Sequence, residues 1–121
     1  MTAHPVTLHV CTSCRAAGGD PSARPGERLH AELSARLDGR DDICLSAVEC
    51  LSVCRRPASV AFAAPGKWTY VAADAASADE VLLAASLYAE SVDGRVPWRE
   101  RPDLLKSGLV ARIPPLPETH R

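Results

Sequence analysis

The chain has 121 residues, a length that fits a single domain. Its composition, 46% hydrophobic and 24% charged, is that of an ordinary globular protein. Fourteen basic residues stand against fifteen acidic ones, and the formal net charge of -1 excludes the strongly basic surface by which proteins bind nucleic acids.

The cellular location follows from the N-terminal sequence and from the cysteines. MTAHPVTLHV lacks the charged and apolar regions of a secretory signal, and no apolar run approaches the roughly 18 residues of a membrane span. We therefore expect a cytoplasmic protein that makes no membrane contact. Disulfides are rare in the cytoplasm, so the five cysteines indicate metal binding or redox chemistry.

The first half of the chain predicts a β-α-β unit. Residues 6–10 alternate between apolar and polar side chains, which predicts a strand that leads directly into Cys11. A loop rich in glycine and proline follows over residues 15–26. Leucines at positions 29, 33 and 37 then predict a helix, and residues 44–48 predict a second strand.

The second half predicts a hairpin and a helix. Residues 59–63 and 68–72 are strand-prone, and the turn between them contains a Pro-Gly pair suited to a tight turn. Residues 77–80, Ser-Ala-Asp-Glu, form a capping box that opens a helix ending near Gly94. Residues 95–121 are rich in proline and predict an extended segment with one helical turn.

These elements give the order β-α-β-β-β-α, an α/β (α+β) fold with a mixed sheet. The first two strands are expected to be parallel, because a right-handed crossover connects them, and the hairpin extends the sheet in antiparallel fashion. We expect one domain over residues 1–94 and a proline-rich C-terminal tail over residues 95–121. The tail should dock on the sheet or on a second subunit through its apolar residues, namely Trp98, Leu104, Leu109 and Ile113.

Four cysteines form two close pairs, Cys11 with Cys14 and Cys50 with Cys54. Each pair follows a predicted strand, and in a β-α-β unit these two loops emerge at the same end of the sheet. Four thiolates there form a metal site, in which each pair can bind one iron of a [2Fe–2S] cluster. Cys44 is expected to pack in its strand as a small hydrophobic residue and is left out of the site.

Two other kinds of site would use the same sulfurs. Structural zinc also takes four cysteines with this spacing, although a zinc knuckle has glycine where this chain has Arg15 and Arg55. A thioredoxin-type dithiol would place CTSC at a helix N-terminus, whereas here a glycine- and proline-rich loop follows. No nucleophile–base pair or acid/base dyad is recognised, so we expect no enzymatic activity.

The chain resembles a known class of proteins. ECLSVCRRP followed by ASVAFAAPGKWTYV, over residues 49–71, resembles the thioredoxin-like [2Fe–2S] ferredoxins, which have a C-x₃-C pair, a proline-containing loop, a Pro-Gly turn and an aromatic strand in this order. Together with VCTSCR and VPWRERP, these motifs resemble a bacterial family described only as predicted metal-binding. The resemblance implies a thioredoxin-like fold, a homodimer, and a cluster held by Cys11, Cys14, Cys50 and Cys54.

The function expected from this resemblance is electron transfer to a redox partner protein that the sequence does not identify. Family members are often encoded near genes of cobalamin synthesis and metal handling, which suggests a partner in those processes. Arg15, Arg55 and Arg56 flank the predicted ligands and would present a positive rim to an acidic partner. The alternatives are a metallochaperone or sensor, and a structural zinc protein with the same four cysteines.

Overall fold

The computed structural model describes residues 6–12, 25–39, 42–48, 58–73, 75 and 77–115. Two α-helices, two 3-10 turns and five strands lie within these ranges. In chain order the elements are β1 (Val6–Cys11), α1 (Pro25–Arg36), β2 (Ile43–Val48), β3 (Val60–Ala63), β4 (Thr69–Ala72), α2 (Ala78–Glu90), the 3-10 turns Trp98–Glu100 and Asp103–Leu105, and β5 (Leu109–Ile113).

The strands form one mixed sheet in the order β2-β1-β3-β4-β5. β1 and β2 are parallel, in a register that runs from Val6 opposite Ile43 to Cys11 opposite Val48. All the other neighbouring strands are antiparallel. The mixed α/β architecture expected from the sequence is therefore confirmed, as is the order of the elements up to α2.

The local signals placed most element boundaries within a few residues. The hairpin turn closes with a hydrogen bond from Lys67 N to Ala64 O of 3.1 Å, and Gly66 supplies the positive φ of 75° that the turn needs. Ser77 caps α2 by accepting a hydrogen bond from Glu80 N at 3.2 Å. α1 begins at Pro25, inside the segment predicted as a loop.

The core lies on one face of the sheet and is covered by both helices. Leu8, Phe62 and Tyr70 are register partners on three adjacent strands, and all three are buried. Tyr88 of α2 packs on this row, with ring centroids 6.2 Å from Phe62 and 5.8 Å from Tyr70. The predicted leucine stripe also enters this core: Leu29 and Leu33 lie on α1, and Leu37 follows the last residue of the helix.

The C-terminal segment differs from the extended tail that the sequence predicted. Leu104 and Leu105 are buried in the core, and β5 adds a fifth strand next to β4. Pro97 and Pro102 each stand just before a 3-10 turn, where the restricted φ of proline suits the chain and its missing N–H costs no helical hydrogen bond.

Docking of this segment is thus confirmed, although not for every residue expected to provide it. Leu104 is buried and Leu109 packs against the core. Trp98 and Ile113 remain 61% and 51% exposed, so they do not anchor the segment.

No helix in the described part of the chain is long and apolar enough to cross a membrane.

Candidate functional site

The C-terminal end of β1 is held on both sides by hydrogen bonds. Cys11, its last residue, is 0% exposed and lies in register with Val48 of β2. The next residue, Thr12, donates to Val48 O through its backbone N at 2.9 Å and through its hydroxyl at 3.3 Å. On the other side, Cys11 N donates to Ser59 O at 3.1 Å. Hydrogen bonds to β2 and to Ser59 therefore hold the backbone that carries Cys11.

Three strand ends meet at this place. β1 ends at Cys11, β2 ends at Val48, and β3 begins at Val60. Because Cys11 lies between Val48 and Ser59, these ends lie side by side at the same end of the sheet. The parallel pairing of β1 with β2 produces this convergence.

Of the four cysteines predicted as ligands, the structure describes Cys11. The other residues assigned to the site or its rim lie outside the described residues; they are Cys14, Cys50, Cys54, Arg15, Arg55 and Arg56. Among the residues that are described, no group of three or more His, Cys, Asp or Glu side chains could hold a metal ion. A four-cysteine site therefore depends on the segments that follow Thr12 and Val48.

Cys44 does not pack as the small hydrophobic residue that the sequence suggested. It is exposed, because β2 is an edge strand and the side chain of Cys44 does not enter the core between sheet and helices. Cys44 is in register with Thr7, four residues along the strands from the pairing of Cys11 with Val48. Four residues of a strand span about 13 Å, so Cys44 lies well away from Cys11.

The N-terminus of α1 lies against Cys11, and this contact was not predicted from the sequence. A Cβ on Gly26 would overlap the Cys11 carbonyl oxygen, so the first turn of the helix and the end of β1 are in backbone contact. The signal in the sequence is Pro25-Gly26, a proline at the first helical position next to a residue without a side chain. The positive end of the helix dipole therefore favours negative charge near Cys11.

Two buried polar atoms in the described residues have no hydrogen-bond partner: Nδ1 of His9 and Oγ of Ser59. His9 is two residues before Cys11 on β1, and Ser59 is bonded to Cys11 through the backbone. Sequence reasoning gave neither residue a role. A serine at the start of a strand-prone run carries no local signal of a role, because only the tertiary structure shows that its hydroxyl is buried.

Comparison with known proteins gave one result. A family described as "Protein of unknown function (DUF1636)" matches the chain over residues 8–115. This match includes all five cysteines, the whole sheet from Leu8 onward and both helices. No curated protein and no solved structure matches the chain.

Proposed function

We propose that this chain, which belongs to the DUF1636 family, binds a [2Fe–2S] cluster through Cys11, Cys14, Cys50 and Cys54 and serves as a cytoplasmic electron carrier. The observation that carries the proposal is the meeting of three strand ends, those of β1, β2 and β3, at one end of the sheet. Cys11 is opposite Val48, and the chain re-enters the sheet at Ser59, which is bonded to Cys11. Every predicted ligand other than Cys11 is in a segment that starts or ends there.

Covalent geometry limits how far from Cys11 the other sulfurs can lie. Two residues span at most about 7 Å and four at most about 14 Å, even when fully extended. Cys14 is two residues beyond Thr12, Cys50 is two beyond Val48, and Cys54 is four before Ala58. All three are thus within reach of the same point. Cys44 is instead fixed on β2, about 13 Å along the strand from Cys11, which supports leaving it out of the ligand set.

The surroundings of Cys11 fit an anionic cluster. A core of iron and sulfide held by four thiolates carries net negative charge, and the positive end of the α1 dipole lies beside Cys11. Arg15, Arg55 and Arg56 add positive charge close to the ligands in sequence. When bound, such a cluster accepts and releases one electron. The residues of the chain would hold it, balance its charge and orient a partner.

The resemblance to thioredoxin-like ferredoxins is supported by the order of the elements. β-α-β-β-β-α is the order that the resemblance implies, and it is the order observed from β1 to α2. We further propose that the arginine rim docks an acidic redox partner and that the protein is a homodimer. A partner in cobalamin synthesis or metal handling would be consistent with the resemblance stated above.

The burial of Cys11 favours a second candidate, a structural zinc site on the same four cysteines. An electron carrier needs a short path from its cluster to the partner, whereas a structural site is normally enclosed. Cys11 is 0% exposed, so its sulfur is shielded as in an enclosed site. Analysis of the bound metal separates the two candidates, because a cluster contains iron and sulfide whereas the structural site contains zinc. Zinc takes part in no one-electron chemistry, so a zinc protein could not be an electron carrier.

The test is an analysis of protein purified without oxygen. We expect a brown protein with about two irons and two acid-labile sulfides per chain, as a [2Fe–2S] centre requires. Dithionite should bleach the visible bands reversibly and produce the EPR signal of one ferric and one ferrous iron. A colourless protein with one zinc per chain that anaerobic reconstitution leaves unchanged would refute the cluster. A cluster that collapses on reduction would point to a sensor or metallochaperone.

The ligand set is tested by single substitutions with a matched control. Cys11→Ala, Cys14→Ala, Cys50→Ala and Cys54→Ala should each destroy the cluster, because each removes a ligand from the iron. Cys44→Ala is the control and should leave the visible spectrum nearly unchanged. If Cys44→Ala bleaches the protein while Cys14→Ala does not, the ligand assignment is wrong.

A further inference from the structure

We infer that Ser59 is a positioning residue that donates a hydrogen bond from its hydroxyl to the sulfur of Cys11 and thereby raises the reduction potential of the bound cluster. The inference rests on the function proposed above and adds a residue that the ligand pattern does not contain. It starts from a polar atom whose burial needs an explanation. Hydrogen-bonding groups inside proteins are nearly always paired, and those that are not often serve a bound group.

Ser59 is such an unpaired group. It is 0% exposed, and its Oγ has no hydrogen-bond partner in the described part of the chain. Its backbone is engaged, since its carbonyl accepts from Cys11 N at 3.1 Å. Burying a hydroxyl without a partner costs free energy that an alanine at the same place would not. The Cys11 sulfur, which is a weak acceptor as a thiol and a much stronger one as an iron-bound thiolate, would supply the missing partner.

The strand register sets Ser59 directly opposite Cys11. Val10 and Val60 are register partners in the antiparallel pairing of β1 with β3, and the bond from Cys11 N to Ser59 O continues this register by one residue. The Cα atoms of such a hydrogen-bonded pair lie about 5.5 Å apart, and their side chains share one face of the sheet. Among the serines in the described part of the chain, Ser59 alone has this relation to Cys11.

The residue before Ser59 holds this arrangement in place. Ala58 is buried and has a φ of 60°, a left-handed conformation that alanine rarely adopts. Its carbonyl accepts a hydrogen bond from Ala75 N at 3.3 Å. The strained backbone and this bond together direct the chain into β3 so that Ser59 lies opposite Cys11. Such strain is found preferentially at functional sites.

The chemical consequence is a change in the energy of the reduced state. A thiol is a weak acceptor, but a thiolate bound to iron is an anion, and hydrogen bonds to charged groups are the stronger ones. Reduction adds an electron and increases the negative charge on the sulfurs. A hydroxyl that donates to Cys11 therefore stabilises the reduced state more than the oxidised one, which raises the potential.

The experiment is a redox titration, monitored by visible absorption, of the full chain with its cluster. Ser59→Ala should keep its iron and sulfide and lower the equilibrium constant for one-electron reduction up to about tenfold, which is 59 mV. Ser59→Thr keeps the hydroxyl and should stay close to the wild type. Ser86→Ala, on the exposed side of α2, is the control and should not change the potential.

The outcomes distinguish this inference from the function on which it rests. A wild-type protein without iron and sulfide contradicts the proposed function itself. A wild type with a cluster whose potential is unchanged in Ser59→Ala, or is lowered equally in Ser59→Thr, overturns the inference alone. Should Ser59→Ala fail to hold the cluster, Ser59→Gly takes its place. If neither variant assembles a cluster, the inference is also overturned, because a hydroxyl that acts on the potential is not required for assembly.

Discussion

Tyr88 connects α2 to the sheet through both its ring and its hydroxyl. The ring packs on Phe62 and Tyr70, and the hydroxyl donates to Trp68 O at 2.5 Å. Burial raises the pKa of Tyr88 to about 12, because a phenolate would lose its hydration in the core. The side chain is 0% exposed, so the neutral form is strongly preferred in the folded protein.

This pKa predicts a loss of stability in alkali. In the unfolded chain Tyr88 would lose its proton near its ordinary pKa of 10, whereas the folded protein holds that proton up to about pH 12. The contribution of Tyr88 is therefore complete below pH 10 and is lost as the pH rises from 10 to 12, by about 2–3 kcal/mol. Urea denaturation across this range measures it.

Tyr88→Phe is the matched control for the alkaline loss. It keeps the ring but removes the titrating group, so its stability should depend less on pH above 10. At neutral pH it should cost about 1 kcal/mol, since Trp68 O loses its hydrogen bond. Equal pH profiles for the two proteins would show that Tyr88 is not the group responsible.

At the scale of elements, the placement of α1 decides the electrostatics of the candidate site. The helix begins where Gly26 touches the carbonyl of Cys11, so its positive end lies at the predicted cluster. Only glycine allows this approach, because a Cβ at position 26 would overlap backbone atoms that have little freedom to move. The position of α1 therefore depends on one residue.

Gly26→Ala is expected to lower the stability of the protein, although alanine in place of glycine usually stabilises a helix. Helix propensity alone would make alanine better by up to about 1 kcal/mol. The overlap with the Cys11 carbonyl should instead destabilise the protein by about 1–3 kcal/mol and reduce cluster occupancy. Thermal denaturation and iron analysis measure the two effects.

Ser34→Ala, at an exposed position of the same helix, is the control for propensity. It should stabilise the protein by a few tenths of a kcal/mol, since alanine is the better helix former. A Gly26→Ala protein as stable as this control would contradict the close contact between α1 and β1.

At the scale of the whole molecule, the C-terminal segment completes the core and extends the sheet. Val96 N donates to the Tyr70 hydroxyl at 2.9 Å, and Glu80 of α2 accepts from Leu104 N at 3.1 Å. Leu105 is fully buried in the core. The segment thus covers apolar surface of its own chain, whereas the homodimer inferred from the resemblance stays a prediction.

Leu105→Ala should destabilise the protein by about 2–5 kcal/mol, because it leaves a cavity in a closed core. Val92→Ala is the control: Val92 is 97% exposed, and its truncation should change the free energy of unfolding by less than about 0.5 kcal/mol. Chemical denaturation compares them directly. Equal stability of the two variants would mean that the C-terminal segment is not part of the core.

Local patterns of residues were enough to predict several elements of the fold. Alternation marked β1, leucine spacing marked α1, and the Pro-Gly pair and the Ser77 cap marked the hairpin and the start of α2. Each of these signals is complete within a few neighbouring residues, since strand and helix periods and turn conformations depend on adjacent backbone angles. Each cysteine pair is a local signal as well, but the expected meeting of the two pairs in one site rested on the predicted β-α-β order of the elements.

Features that depend on contacts between distant segments could not be predicted in this way and are visible in the folded chain alone. β5 is a short run that needs the edge of β4 to become a strand, and the burial of Leu105 requires both sheet and helix. The exposure of Cys44, the close approach of Gly26 and the unpaired hydroxyl of Ser59 likewise follow from neighbours far away in sequence. Burial and pairing belong to the assembled core, so no local pattern of residues encodes them.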